Sequence, residues 1–577
     1  MAQSSFNFQS AYTHNTLGSI QGGQAGEYYH LTKCGYDSVK YAGDYANLSS
    51  AVASIGATST TLIITDGQSI SSDVTIPANV FLKIIKGGSI AIATTKTLTI
   101  NGPFEAGLYQ VFICTGTGKV IFGAGVVGMA APQWWGAKGD GSNDDTTAIK
   151  NALSSYDSYN THRGGVVYFP PGTYLVTPYV HPVVGVGYYA GMWIPTNITI
   201  QGSGINSTTI KLCDNSIDSS RVIWNYDIAP NFYDENICIR NILVDGNNLN
   251  QGTNGVNTGI DLWRARNCYL ENVKVINVLG SAGSGTNEGP FFNCGICTNI
   301  HYINCIAAGT TKSYVNADNN IGKTCNGFNH AATTNVTYTN CVSYGMSATV
   351  GAGTVIGLGF NGNGSSQVRY VNCHAFLNDA MQMGEEVSQN VSFANCWSGG
   401  IASPSAGNQT PKEYGTGYDP SEALFKYPGA SGPGFILNGG THITILGGGA
   451  ELGDKGVWIA NGADYISLCG VDLVNSTVPV SGACTHLSIR GCSGVSDNTT
   501  TIFGNLIAGN EGYGQVGLGY DDGTQLWLKT LDGNRHLRLS ANGSGAIILD
   551  LPSFASGLPT GALWYDPSDS NRIKRAP

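Results

Sequence analysis

The chain has 577 residues, of which 80 are glycine and only 11% are charged, against about 25% in a typical soluble domain. Its net charge of −10 argues against nucleic acid as a partner, because phosphate binding needs clustered Lys and Arg. There is no apolar run long enough to cross a bilayer, and the segment after Met1 lacks the pattern of a signal peptide. We therefore expect a soluble protein, made in a cytosol, with no membrane partner.

Residues 1–37 form a Gly-broken polar segment that is not expected to fold independently. His14 and His30 are too isolated to predict a metal site, since no third ligand accompanies them. The passage from His14 to Leu31 is similar to a short repeat found in bacteriophage tail proteins. This resemblance implies a virion-attachment segment that contacts other phage tail proteins.

Residues 38–132 carry short strands with alternating apolar residues, separated by Gly and Pro turns. The part between Val74 and Gly107 resembles the head region that precedes the coil of many phage tailspikes. Residues 133–163 form a linker and a short amphipathic helix, with Asp144 or Asp145 as its N-cap and with Ile149 and Leu153 on one face. A helix there would cover the open end of a solenoid.

Residues 164–498 form a repetitive region. Between Asn236 and Cys396 it repeats a six-residue motif, the asparagine phrase, which ends in asparagine and recurs at intervals of 23 to 36 residues. The phrases alternate apolar and polar residues, which is strand periodicity, and a repeat of this length is typical of a solenoid. They close at Asn241, Asn272, Asn304, Asn340, Asn372 and Asn395. Residues 132–153, with the continuation through 164–174, closely resemble the start of the pectate-lyase-like right-handed β-helix.

The cysteines are predicted to be core residues. Their number, 15, is odd, so complete pairing within one chain is impossible. Cys305, Cys341, Cys373 and Cys396 each follow a closing asparagine and would stack in a buried column. Cys294 and Cys297 have the spacing of a metal pair, but no second pair completes it. We predict no metal and no cofactor.

A second strand in each turn begins with a small residue, and its third member is expected to face outward. These strands begin at Gly259, Gly295, Gly327, Gly357, Ala380, Gly434 and Gly456, and the outward members include Asp261, Asn329, Gln382 and Trp458. Length variation falls just before this strand, at residues 245–258, 280–293, 307–325 and 398–433. Such loops would form a wall beside the outward face, where sites usually lie.

Carboxylates and aromatic residues follow this corner, as glycoside cleavage requires. The predicted catalytic residues are Asp261, Glu288 and Asp318. The predicted substrate-binding residues are Asp245, Trp263, Arg264, Tyr314, His330, Asp379 and Glu385. Residues 257–261 resemble the first acidic motif of polygalacturonase-type hydrolases, but Gly259 stands in place of that motif's Asp, so that mechanism is not carried over.

Residues 499–577 contain Gly-rich alternating strands, and residues 557–566 are similar to the ends of phage tail-fibre chains. We expect a C-terminal β-domain that trimerises the chain or binds carbohydrate. The sequence as a whole predicts an all-β fold, a right-handed parallel β-helix with a capping helix, a head region and this C-terminal domain.

The chain thus resembles a bacteriophage tailspike that depolymerises bacterial surface polysaccharide. This implies a homotrimer, located in the virion tail, that acts at the bacterial cell surface. We expect hydrolysis by two carboxylates. The alternatives are a polysaccharide lyase, with Arg264 or a lysine neutralising a uronate and Tyr314 or His330 as the base, and a non-catalytic adhesin.

Overall fold

The computed structural model describes most of residues 38–495 and five short C-terminal strands. The described ranges are 38–156, 163–217, 220–226, 232–251, 257–278, 289–309, 324–346, 356–376, 378, 381–399, 433–451, 455–495, 503–508, 516–521, 525–530, 563–566 and 572–575. No helix in these ranges is long and apolar enough to span a membrane. Two compact units divide between Gly504 and Asn505.

The first strands form a narrow three-sided parallel coil, which refines the expected head region. Leu62 pairs with Leu82, and Leu82 with Phe104, so each turn takes only about twenty residues. One side comprises β1 (Val39–Tyr41), β2 (Thr60–Ile64), β5 (Val80–Ile84) and β8 (Phe104–Ala106). The other two comprise β3 (Gly67–Ile70), β6 (Ser89–Ile92) and β9 (Phe112–Cys114), and β4 (Val74–Ile76), β7 (Thr97–Ile100) and β10 (Lys119–Phe122).

Two α-helices are described, both beside this narrow coil or at its junction with the next. Helix α1 (Leu48–Ile55) begins at Asn47, whose side chain accepts a hydrogen bond from the Ser50 amide. Helix α2 (Thr146–Ser154) buries Ile149 and Leu153, as its spacing predicts. Asp144 accepts from the Thr146 amide, whereas Asp145 accepts from the amides of Lys138 and Gly139.

An aromatic cluster fills the step from the narrow coil to the wider one. Its members are Phe104, Phe112, Phe122, Trp134, Trp135 and Tyr156. The Phe104 and Trp134 rings meet edge to face at 4.9 Å, a favourable arrangement. The Phe122 amide donates to the Ser155 carbonyl at the end of α2. The helix and these rings together close the end of the wide coil.

The wide coil is a right-handed parallel β-helix with three faces, as predicted. The asparagine phrases lie on face 1. This face comprises β11 (Met129–Ala130), β13 (Gly165–Phe169), β17 (Ile198–Gly202), β25 (Thr298–Ile303), β28 (Thr334–Thr339), β31 (Ser366–Val371) and β38 (Asp464–Cys469). Face 2 holds β12 (Asp140–Asp144), β14 (Gly172–Val176), β18 (Thr208–Leu212), β26 (Ile306–Ala308), β29 (Val342–Tyr344) and β32 (His374–Phe376). Four longer strands bend from face 1 onto face 2: β21 (Cys238–Asp245), β23 (Ala265–Ile276), β34 (Gln389–Gly399) and β36 (Thr441–Glu451).

Face 3 holds β16 (Gly185–Ile194), β19 (Ser220–Asn225), β22 (Asn257–Trp263), β24 (Gly289–Gly295), β27 (Thr324–Ala331), β30 (Ile356–Asn363), β33 (Met381–Glu386), β35 (Pro433–Asn438) and β37 (Lys455–Ala460). Strand β39 (Val478–Arg490) runs from face 3 onto face 1. Strand β15 (Tyr179–His181) pairs antiparallel with β16, and β20 (Asp234–Glu235) lies at the corner between faces 3 and 1. The C-terminal unit contains the antiparallel strands β41 (Val516–Asp521) and β42 (Gln525–Thr530) and the hairpin β43 (Leu563–Asp566) and β44 (Arg572–Arg575); β40 (Phe503–Ala508) begins at the boundary.

The asparagines of the phrases explain the corners of the coil. Both ends of a phrase adopt left-handed backbone, such as Asn335 at φ +58° and Asn340 at φ +53°. Asparagine tolerates this conformation better than other residues with side chains. The Asn340 side chain also donates to Asn304 in the preceding turn, and Asn372 donates to Asn340. The asparagines thus both bend the chain and tie neighbouring turns together.

The interior of the coil is built from stacked side chains. Phe292, Phe328 and Phe360 stack on face 3 with centroids 4.6 and 4.7 Å apart. Cys305, Cys341, Cys373 and Cys396 are fully buried free thiols, as predicted. Burial raises the pKa of Cys341 well above the ordinary value and that of Cys294 to about 12. Cys341 and Cys294 are therefore protonated core residues rather than ligands.

The seven small residues that begin the face 3 strands were predicted to occupy equivalent positions in successive turns. This alignment is correct for four of them and wrong for three. Gly259, Gly327, Gly434 and Gly456 occupy equivalent positions, one residue before the inward members Ile260, Phe328, Phe435 and Val457. Gly295 and Gly357 do not, and Met383 rather than Met381 pairs with Phe360. A slip of two residues preserves strand alternation, so periodicity alone could not detect it. Gln382 consequently lies outside the column of Asp261.

Candidate functional site

Asp261 occupies the outward column of face 3. Its strand neighbours Ile260 and Leu262 point into the core and are 1% exposed, so Asp261 points out of the coil. Strand register places Trp224 in the preceding turn and Asn293 in the next. The column continues through Asn329, Asn361, Gly384, Ile436 and Trp458.

The Asp261 carboxylate is enclosed and held by charged and polar contacts. Oδ2 lies 3.1 Å from Nε of Arg221, and Oδ1 accepts a 2.7 Å hydrogen bond from Asn293 Nδ2. Asp261 is only 3% exposed, whereas the Arg221 side chain is 25% exposed. Both carboxylate oxygens are therefore engaged, which fixes the side chain in one orientation on the outer face.

Tryptophan side chains flank this pair. The Arg221 guanidinium lies over the Trp224 ring, 3.9 Å from its centroid, and Trp224 stacks on Trp193 at 4.9 Å. Trp224 is 4% exposed, and among the described residues its indole Nε1 has no hydrogen-bond partner. A buried donor without a partner is costly, and a bound hydroxyl or carboxylate would satisfy it.

Trp263 lies at the end of the same strand as Asp261. Its ring is half-buried and packs beside the cluster formed by Trp193 and Trp224. Asn225 fixes its backbone, accepting from the Trp263 amide and donating to its carbonyl. A side chain added at Gly295 would meet the Trp263 ring, so the ring lies directly against that backbone. Trp263 is therefore held beside Asp261, as a substrate-binding residue would need to be.

The hairpin of β15 and β16 closes one end of this face. Trp193 is fully buried, its Nε1 donates to the Tyr179 carbonyl, and His181 contacts its ring edge-on at 4.6 Å. His181 also hydrogen-bonds the Tyr226 carbonyl. The outward column is therefore covered at Trp193, and the side chain that reaches solvent beside Asp261 is that of Arg221.

An asparagine ladder continues from Asp261 along the coil. Asn329 Nδ2 donates to Asn293 Oδ1, and Asn361 Nδ2 donates to Asn329 Oδ1, each at 2.8 Å. All three side chains are half-buried. Each amide keeps further hydrogen-bonding capacity, because one Nδ2 hydrogen is used per rung. The face next to Asp261 is therefore polar and uncharged.

His330 and Glu385, predicted to bind substrate, lie inside the coil instead. Both side chains are at most 1% exposed, and His330 Nε2 lies 3.4 Å from Glu385 Oε1. The Tyr370 hydroxyl donates to Glu385 Oε1 at 2.6 Å, and the Tyr338 hydroxyl contacts His330 Nδ1 at 3.1 Å. Burial raises the pKa of both tyrosines well above the ordinary value. Both residues fall at inward positions of their strands, so they do not reach the outer side of face 3.

Asp245 and Arg264 occupy corners. Asp245 ends β21 on face 2, where its Oδ1 accepts from the Asn247 amide and from Asn277 Nδ2. This fits the turn role that the Asp-Gly pair also suggests. Arg264 has φ +55° at the corner after face 3, and its amide donates to Gly295. Neither makes a described contact with Asp261.

Four of the predicted residues lie outside the described ranges: Glu288, Asp318, Asp379 and Tyr314. Arg221 and Trp224 were not predicted as site residues, and their strand, residues 220–225, shows no regular alternation of apolar and polar residues. They precede the first asparagine phrase, so the phrase alignment did not reach them. Among the described residues there is no group of three or more potential metal ligands.

Most of the wide coil matches a known protein family. Residues 134–399 match the family model described as rhamnogalacturonase A/epimerase, pectate lyase-like. This range contains Asp261, Arg221 and the tryptophan cluster. The predicted resemblance to a pectate-lyase-like β-helix is therefore confirmed for this part of the chain.

The chain is also similar to phage and bacterial proteins. It is 27% identical over 222 residues to the pre-neck appendage protein of Bacillus phage phi29, a match that covers 34% of this chain and 23% of that one. It is 31% identical over 170 residues to mannuronan C5-epimerase AlgE3 of Azotobacter vinelandii, covering 28% and 8%. The chain thus spans about a quarter or less of these relatives. The structure of ORF18 of Geobacillus virus E2 aligns over 78% of this chain and 86% of its own, with 16% identity and a TM-score of 0.37.

Proposed function

We propose that this chain is a phage tail protein that cleaves a host surface polysaccharide on face 3, beside Asp261. The similarity to a phage appendage protein supports the virion location, and the pectate-lyase-like family match supports action on polysaccharide. The expected substrate is a bacterial capsular or O-antigen glycan. This is the function that the geometry of the site supports best.

The enclosed Asp261 carboxylate is the observation that carries the proposal. It lies on the outer face, is 3% exposed, and contacts Arg221 and Asn293. Flat aromatic surfaces and a positioned carboxylate are what glycan cleavage needs. The unpartnered Trp224 Nε1 adds a donor for a sugar oxygen.

In the hydrolytic mechanism Asp261 acts as nucleophile or as the base that activates water. The contacts with Arg221 and Asn293 hold its two carboxylate oxygens in place, as both roles require. A second carboxyl group protonates the leaving oxygen. We assign this acid to the segments that precede β24 and β27 in the sequence, with Glu288 and Asp318 as the residues to test.

A second candidate is a lyase acting on a uronate-containing glycan. The Arg221 guanidinium, beside Asp261 and over Trp224, is the observation that favours it. A guanidinium neutralises the uronate carboxylate, which makes the neighbouring C–H more acidic. His330 is not the base in this version, because it is buried in the core.

The test is incubation of the full chain with surface polysaccharide from the host strain. Hydrolysis creates new reducing ends without ultraviolet absorbance, whereas a lyase creates unsaturated ends that absorb. We expect Asp261→Asn to lower the rate of cleavage at least 100-fold, the scale of removing a general base or nucleophile. Full activity in this variant would exclude the assignment.

The matched control is the pair of Glu235 and Arg266. Their side chains lie 3.5 Å apart and are each 42% exposed, and Arg266 covers the Tyr233 ring as Arg221 covers Trp224. Glu235→Gln changes the charge as Asp261→Asn does, but it should leave the rate unchanged. Binding of the polysaccharide by wild type without any new chain ends would indicate an adhesin instead.

We also propose that the chain is a homotrimer and that residues 1–37 attach it to other tail proteins. The similarity of residues 557–566 to tail-fibre ends supports trimerisation through the C-terminal unit. Light scattering of the full chain tests the trimer. A monomer at micromolar concentration would contradict it.

A further inference from the structure

We propose that Lys455 and Trp458 form a distal subsite on face 3 that binds an acidic sugar of the same polysaccharide. This proposal rests on the proposed function and adds a chemical requirement to it. The bound glycan must carry an anionic group at some distance from the bond that is cleaved. The pair was not part of the predicted site.

Strand register places this subsite in line with Asp261. Trp458 on β37 pairs with Ile436 on β35, and the outward column leads back through Gly384 and the asparagine ladder to Asp261. Six strand spacings separate the two residues. At about 4.8 Å per spacing, Trp458 lies about 29 Å along the coil axis from Asp261.

The residues between the two positions suit a glycan lying along the axis. Asn293, Asn329 and Asn361 offer amide groups to hydroxyls, and none of them carries charge. Gly384 has no side chain to obstruct the path. The column is covered beyond Trp224, at Trp193, so a long chain bound at Asp261 extends toward Trp458.

The chemistry of the pair indicates an anionic sugar. The Trp458 side chain stays 36% exposed, which is unusual for tryptophan, and Lys455 Nζ lies 4.3 Å from its ring centroid. Within the described part of the chain, Lys455 makes no ion pair with a carboxylate. An aromatic surface with an ammonium group beside it fits a sugar ring that bears a carboxylate.

The simpler explanation is an ordinary cation–π contact on a solvated surface. That explanation predicts no effect on glycan binding. A contact between copies of the chain is the other possibility, and it predicts that loss of the Trp458 ring weakens the oligomer. Both are distinguishable by experiment.

The experiment measures binding of full-length Asp261→Asn protein, in which cleavage is blocked, to immobilised host polysaccharide. The probe is used in native form and after chemical reduction of its carboxylates to alcohols. We expect Lys455→Gln and Trp458→Ala each to weaken binding of the native polymer by about tenfold. The loss caused by Lys455→Gln should shrink at high salt, because screening weakens the exposed charge pair.

Reduction of the polymer's carboxylates should weaken its binding to the protein that retains Lys455 by a similar factor. In the Lys455→Gln variant, reduction should cause no further loss of affinity. Such non-additivity is the mark of two groups in direct contact. Short fragments that reach only Asp261 should bind all variants equally. Matched controls are Tyr465→Ala, a 49% exposed ring on face 1, and Lys119→Gln, an exposed lysine of the narrow coil.

Unchanged affinity in both variants would overturn the subsite, as would dissociation of the oligomer by Trp458→Ala. Equal losses on native and reduced polymer would overturn the acidic-sugar assignment. Failure of the proposed function has a different signature, since it appears as undiminished cleavage by Asp261→Asn in an otherwise wild-type chain.

Discussion

His330 Nε2 lies 3.4 Å from Glu385 Oε1, although the two residues are separated by a complete turn of the coil. Gly362 occupies the intervening position in the inward column, between His330 and Glu385. Because Gly362 has no side chain, the imidazole and the carboxyl group meet across its backbone. Both are fully buried, so the pair belongs to the core and not to the outer face.

Removal of the Glu385 carboxyl group should strongly destabilise the coil. In Glu385→Ala, the Tyr370 hydroxyl loses its buried acceptor, which lowers the free energy of unfolding by about 1–3 kcal/mol. Glu385→Gln keeps an acceptor for the Tyr370 hydroxyl and should lower the free energy of unfolding by less. Denaturant unfolding measures this free energy for both variants. The neighbour Glu386 is exposed, so a loss of similar size in Glu386→Gln would contradict the role of burial.

Gly362→Ala should destabilise the coil because its added Cβ would crowd the His330 and Glu385 side chains. A Cβ at this position would lie 2.2 Å from Glu385 Oε2 and 2.5 Å from His330 Nε2. Overpacking of a buried site costs about 1–3 kcal/mol. The thermal midpoint should therefore fall, and it should fall less in a Glu385→Ala background, where one of the crowded atoms is gone.

Gly128→Ala is the control for that substitution, because nothing lies within 4 Å of its added Cβ. A decrease in the thermal midpoint as large as that of Gly362→Ala would show that the effect is general to glycine and not to the crowded position.

The two roles of Asn340 should be separable by paired substitutions. Asn340→Gly removes the hydrogen bonds with Asn304 and Asn372 but accepts the left-handed backbone at φ +53°. Asn340→Ala removes the same bonds and adds backbone strain of about 1 kcal/mol. Alanine should therefore be the less stable variant in chemical unfolding. Equal stability would mean that the backbone conformation is not under strain.

Asp464 should contribute a pH-dependent share of stability at the acidic end. Burial is the largest single influence and raises its pKa, but hydrogen bonds from the His486 side chain and from backbone amides together outweigh it, so the pKa lies below the ordinary 3.8. A lowered folded-state pKa stabilises the fold above pH 3.8, and this stability is lost as pH falls through the folded pKa.

The expected effect is small because the pair is solvent-exposed. Asp464→Asn should lower the thermal midpoint at pH 6, and the difference from wild type should disappear at pH 2. A difference that persists unchanged at pH 2 would contradict this origin.

The asparagine phrases predicted the wide coil because the residue type and the backbone requirement coincide. A left-handed corner favours asparagine, so the corners are visible in the sequence at Asn304, Asn340 and Asn372. The narrow coil of the head was predicted only as alternating strands. Its turns bend at varied Gly and Pro residues, which carry no comparable repeat.

The candidate site was only partly predictable. Asp261 was found because its phrase neighbours define the register, while Arg221 and Trp224 lie in an earlier turn without such a marker. Glu385 was predicted to bind substrate because it was placed just past the end of its strand, whereas β33 extends through Glu386 and puts Glu385 at an inward position. Which of two equivalent registers forms depends on the packing of Met383 beside Phe360, and this is not visible in a local pattern.

The aromatic step between the two coils has a consequence for shortening the chain. Trp134 and Trp135 are 7% and 6% exposed because Phe104, Phe112 and Phe122 of the narrow coil cover them. A protein trimmed to begin at Pro132 would display those indoles to water, beside a strand edge that had lost its cover. Exposed aromatic surface next to a free edge invites self-association. The narrow coil thus covers the end of the wide coil and protects it from self-association.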